Sequence, residues 1–90
     1  MGNIDKKYID QILDQMIFQE KQFTDVDKDY FNGEDVTYYF DKEKETFICR
    51  KIDVVALSYK TEKELTQKEL KKILSSFPLD EFLLQGFDIR

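Results

Sequence analysis

The chain has 90 residues, is 41% apolar with eight Phe and five Tyr, is 37% charged, and carries a formal net charge of −5 with no histidine. That length holds one domain and one core, and the aromatic and aliphatic content separates it from disordered chains of similar charge. The acidic balance argues against direct nucleic-acid binding, which depends on neutralising phosphates, and no apolar run approaches the roughly 18 residues of a membrane span.

The charge is uneven: residues 1–46 carry twelve acids and six bases, residues 47–90 seven acids and eight bases. The acidic half can steer a basic partner; a solvated surface is the plainer reading. The single cysteine, Cys49, excludes an internal disulfide. With no apolar leader, this sets the cytoplasm as the expected location. Heavy use of Lys, Ile, Asp, Phe and Tyr fits an AT-rich bacterial or phage genome.

Residues 4–22 read as an amphipathic helix. Ile4, Tyr8, Ile12 and Met16 form one row, with Ile9, Leu13 and Ile17 beside it, which is the helical period. Asn3 suits the N-cap. Phe18 and Phe23 fall off the stripe and read either as packed under the next loop or as exposed. Residues 24–35 are polar, contain Asn32-Gly33 and read as a loop. Val36–Phe40 and Thr46–Ile52 are rich in β-branched and aromatic residues and form a hairpin around Asp41–Lys44. Tyr38 and Phe40 point to one face of the first strand and Tyr39 to the other. Helices therefore flank the sheet, or part of it is left sticky.

A third strand is expected at Val54–Tyr59, with a helix running on from Asp53 as the competing assignment. Thr66-Gln67-Lys68-Glu69 is a capping box. The helix it opens buries Leu70, Ile73, Leu74 and Phe77. Pro78 starts a short helix, Leu79–Gln85, which Gly86 ends. Phe87–Arg90 is a tail suited to docking as a short strand. The fold class expected is α+β: a small antiparallel sheet, made of the hairpin plus a third strand, packed with an N-terminal helix and one or two C-terminal helices in a single domain.

Asp25, Asp27 and Asp29 match ligand positions 1, 3 and 5 of a calcium loop. Tyr30 replaces the required glycine, Asn32 the apolar residue, and Val36 the closing glutamate. The stretch therefore reads as an acidic loop with no metal and no cofactor. Without histidine, a Cys pair or a phosphate-binding glycine loop, no catalytic set is expected. Cys49 reads as a small core residue. Lys68, Lys71 and Lys72 read as the solvated face of a helix.

The stretch that suits recognition is aromatic and acidic. Tyr30, Phe31, Tyr38 and Tyr39 lie among Asp25, Asp27, Asp29, Glu34 and Asp35, which gives a sticky centre with a charged rim; membership of the core is the plainer reading of these aromatics. The function expected is a small protein-binding module, of inhibitor, immunity or antitoxin type, whose partner is a protein with a basic surface. A homodimer or other homo-oligomer, and a weak divalent-metal or ligand module, are the alternatives.

Overall fold

The computed structural model describes residues 6–25, 34–53 and 58–90. Along them run α1 (Lys6–Phe18), β1 (Phe23–Asp25), β2 (Glu34–Asp41), β3 (Thr46–Asp53), β4 (Ser58–Leu65), α2 (Gln67–Leu74) and α3 (Leu79–Leu84). The four strands make an antiparallel meander in the order β1-β2-β3-β4. With the N-terminal helix and the two C-terminal helices, this is the α+β architecture that the sequence pattern predicts.

Strand alternation decides which residues meet the helices. Register aligns Phe23 with Tyr38 and Tyr38 with Cys49, and in the next row Phe40 with Phe47 and Phe47 with Leu65. Ile9, Ile12, Leu13 and Met16 of α1, Leu70 and Leu74 of α2, Phe82 of α3 and Phe87 of the tail join them in one core cluster. Phe23 is 1% exposed. Its ring lies 4.5 Å from Phe82 and 4.9 Å from Phe77, centroid to centroid. Truncating a phenylalanine so placed to alanine costs about 3–5 kcal/mol, a large share of the roughly 5–15 kcal/mol that holds a small domain.

Several boundaries differ from the sequence expectation. The helix ends at Phe18 rather than at residue 22. Glu20 adopts the left-handed region at φ 56°, which turns the chain so that Phe23 enters the core as the first residue of β1. Part of the expected 24–35 loop is therefore strand. In the hairpin, Asp41 pairs with Thr46. Asp41 Oδ1 accepts from the backbone N–H groups of Glu43 and Lys44 at 2.9 and 3.2 Å, and Glu45 is left-handed at φ 54°. Of the expected third strand, residues 54–57 lie outside the described residues, as does Asn3. The strand beside β3 is Ser58–Leu65, and Asp53 belongs to β3, not to a helix.

The capping box forms as expected. Thr66 Oγ1 accepts from Glu69 N at 3.1 Å, and Glu69 Oε1 accepts from Thr66 N at 2.9 Å. The two bonds from Thr66, backbone first, hold the Glu69 carboxyl below its usual range. Gly86, at φ 91°, ends the turn after α3 where a side chain would be strained.

The tail does not form a strand. It lies along α1, held by glutamine amides that stand in for a neighbouring strand. Gln15 Nε2 donates to Asp88 O at 2.6 Å and Gln15 Oε1 accepts from Asp88 N at 2.8 Å. One turn earlier, Gln11 makes the same two bonds with Arg90 at 2.9 and 2.8 Å. Gln85 does likewise at the outer edge of β1: its amide accepts from Thr24 N at 2.7 Å and donates to Thr24 O at 2.8 Å. This covers a strand edge that would otherwise invite pairing.

Candidate interaction face

The helices pack against the face that carries Phe23, Tyr38, Cys49 and Leu65. The opposite face is built from the alternate residues. One row crosses all four strands: Thr24, Thr37, Arg50 and Glu62. The next row holds Tyr39, Ile48 and Glu64. Thr24 and Thr37 join hydroxyls at 3.1 Å.

Tyr39, Arg50 and Glu62 lock together on this face. Tyr39 Oη donates to Glu62 Oε2 at 2.8 Å, and Arg50 Nη2 donates to Tyr39 Oη at 2.9 Å. Arg50 Nε and Nη2 both donate to Glu62 Oε2, at 3.3 and 3.2 Å. The guanidinium carbon lies 4.8 Å from the centroid of the Tyr39 ring, a cation–π contact. Burial and the bond to Glu62 raise the Tyr39 hydroxyl. Burial pulls Arg50 down, but its bonds to Glu62 and Tyr39 prevail and raise it. The bond from Tyr39, with those from Arg50, holds the Glu62 carboxyl low. Ion pairs this accessible add little to stability. Their consequence is positional: the aromatic ring and the guanidinium, both half-buried, are fixed before anything binds.

The structure splits the residues singled out in the sequence. Tyr38 is on the helix-covered face and 7% exposed. It belongs to the core, the plainer of its two readings, because the period of two that turns Tyr39 outward turns Tyr38 inward. Burial, with Cys49 and Asp25 adding to it, pushes the Tyr38 hydroxyl up to about 12. Asp25 is exposed at the end of β1, opposite Val36. Asp35 is half-buried on β2 opposite Ile52, on the same face as Tyr39, and Glu34 pairs with Asp53 in the register. Asp27, Asp29, Tyr30 and Phe31 lie outside the described residues. Cys49 is buried.

Glu62 was not legible as a member of the site, because its strand carries almost no apolar residues. Nothing in the local sequence singles out Arg50 for recognition. Its outward position on β3, diagonal to Tyr39, was the available signal. Of the lysines of α2, Lys71 is held by an acid of the neighbouring helix. Lys71 pairs with Asp10 of α1 at 3.1 Å, and both line a groove of about 480 Å³ between α1 and α2. Among the described residues no cluster of three or more metal-ligating side chains forms, and no helix is long and apolar enough to cross a membrane.

No protein-family model matches the chain, and searches of curated proteins and of solved structures return no match.

Proposed function

We propose that this protein is a small acidic module that acts by binding another protein through the sheet face opposite its helical layer. The observation that carries the reading is the pre-ordered Tyr39–Arg50–Glu62 cluster. Tyrosine and arginine are the side chains that most often anchor interfaces, and here both are held in place, so little side-chain entropy remains to be lost on binding. Asp35 on the same face and the net charge of −5 favour a partner with a basic surface. An inhibitor, immunity or antitoxin-like role in the cytoplasm is the finer form of the proposal.

The test is capture from lysate of the source cell by the wild type, Tyr39→Ala and Lys68→Ala, at low and high salt. One partner held by the wild type and Lys68→Ala, lost with Tyr39→Ala and weakened by salt, supports the reading. Equal capture by all three proteins refutes it.

A further inference from the structure

We infer that the outer edge of β4, over Thr61–Leu65, takes up an extended segment of the partner as an added strand, and that this segment carries a lysine or arginine opposite Glu64. The inference rests on the reading that the protein binds a basic partner. It adds the mode of binding and the chemistry of the bound segment.

The sheet treats its two edges differently. At β1 the Gln85 amide accepts from Thr24 N and donates to Thr24 O, so that edge is closed from within the chain. β4 ends the other side of the sheet and pairs with β3 alone. Alternate residues of an antiparallel edge strand turn both N–H and C=O away from their neighbour. Among the described residues none of those outward groups in Thr61–Leu65 meets a partner. Pairing is regular over this segment, because the register shift lies beyond Thr61, opposite Lys51 and Ile52 of β3. In strand addition such a row of main-chain groups supplies affinity, and the alternating side chains supply specificity.

The side chains select what can be added. Register puts Glu62 and Glu64 on the face of Tyr39 and Ile48, and Lys63 and Leu65 on the helical side. Glu62 is held by Arg50 and Tyr39, the Glu69 carboxyl of α2 feels the charge of Lys63, and Leu65 is buried. Glu64 is exposed and meets no counter-charge among the described residues. A base opposite it on the added strand supplies one, since opposite charges across strands stabilise pairing and like charges oppose it. The same rule turns away a second copy. Paired antiparallel over this segment, it sets Lys63 against Lys63 and Glu62 against Glu64, or, shifted, Glu62 or Glu64 against itself. Charges and irregular register are how natural edges avoid indiscriminate pairing. On β4 they reject the chain's own copy and leave room for a complementary strand, and specific interfaces combine both devices.

The probe is a short capped peptide of alternating lysine and threonine, titrated into the full chain and read by NMR shifts and amide exchange. Two peptides serve as controls: its glutamate–threonine counterpart, and a lysine–threonine peptide N-methylated at every residue, which keeps the charge and loses the backbone donors. The expected result is binding of the unmethylated lysine peptide alone, with shifts and slowed exchange centred on Thr61–Leu65. Glu64→Lys should weaken it several-fold and let the glutamate peptide bind, with an unchanged thermal melt. Absence of binding, shifts centred away from β4, equal binding of the methylated peptide, or affinity unmoved by Glu64→Lys overturns the inference. So does sedimentation showing wild-type self-association that Glu64→Lys abolishes, which would assign the edge to a second copy. Failure at this edge together with partner capture that still depends on Tyr39 overturns the inference and leaves the reading of the sheet face standing.

Discussion

Replacing Gln15 by glutamate probes how the tail is held, because it changes one atom of a fully engaged amide. Gln15 is 6% exposed. Its nitrogen donates to Gln11 O at 3.1 Å and Asp88 O at 2.6 Å, and its oxygen accepts from Lys21 Nζ and Asp88 N, both at 2.8 Å. That uses the full capacity of the amide group. A carboxylate keeps the two accepted bonds and strengthens the one from Lys21, but aims its second oxygen at two carbonyl oxygens. Losing two donated bonds at about 0.5–1.5 kcal/mol each, adding the repulsion and subtracting the gain at Lys21, leaves the variant about 1–3 kcal/mol less stable at pH 7.

Burial and the two carbonyls raise the pKa of the new carboxyl in the folded state and outweigh Lys21, whose charge is shared with Asp88 and whose protons are shared with Gly86 O. A raised folded pKa means that the proton favours the folded form. The deficit should therefore shrink as pH falls from 7 towards 4.5, where a neutral carboxyl can donate one bond again. Gln15→Leu should be destabilised with no such recovery. Urea unfolding between pH 4.5 and 8, with amide exchange at Asp88, measures both. A Gln15→Glu protein as stable as the wild type at pH 7, or a deficit that does not change with pH, would refute the account of the tail.

Three further outcomes follow from the same geometry. Tyr38 ionises near 10.0 when unfolded and about 12 when folded. The stability it contributes is complete below pH 10 and is lost as pH rises towards 12, by at most about 2.7 kcal/mol before solvent screening; Tyr38→Phe should flatten that part of the stability profile. Thr66→Ala removes the N-cap of α2 and should cost about 1 kcal/mol in urea unfolding, with exchange quickening first at Glu69, whose N–H loses the Thr66 hydroxyl. Gln85→Ala uncovers the Thr24 edge of β1, and should cost about 1–2 kcal/mol and raise the aggregation rate seen by light scattering.

The sequence pattern was readable where local chemistry and burial agree. The Ile9–Ile12–Leu13–Met16 stripe, the aromatic hairpin and the Thr66–Glu69 box each announce their element without help from distant residues. β4 is the opposite case. In Ser58–Leu65 only Leu65 among the described side chains is buried, and the run of charges is what an edge strand shows to solvent. Its conformation comes from pairing with β3, a contact no local window contains. β1 is three residues long and depends on Phe23 finding Phe82, 59 positions later. The candidate face was half legible. Alternation identifies Tyr39 as turned away from Tyr38, but pairing it with Glu62 requires β4 to be in place.

The most direct test of the functional claim is site-specific photo-crosslinking in the source cell. A photoreactive residue at Glu64, exposed beside the Tyr39 cluster, is compared with one at Lys72 on α2. The account predicts one dominant crosslinked protein from position 64, absent from position 72 and lost when Tyr39→Ala is added. Crosslinks from position 72 to the same protein, or an adduct from position 64 that Tyr39→Ala leaves unchanged, would contradict it.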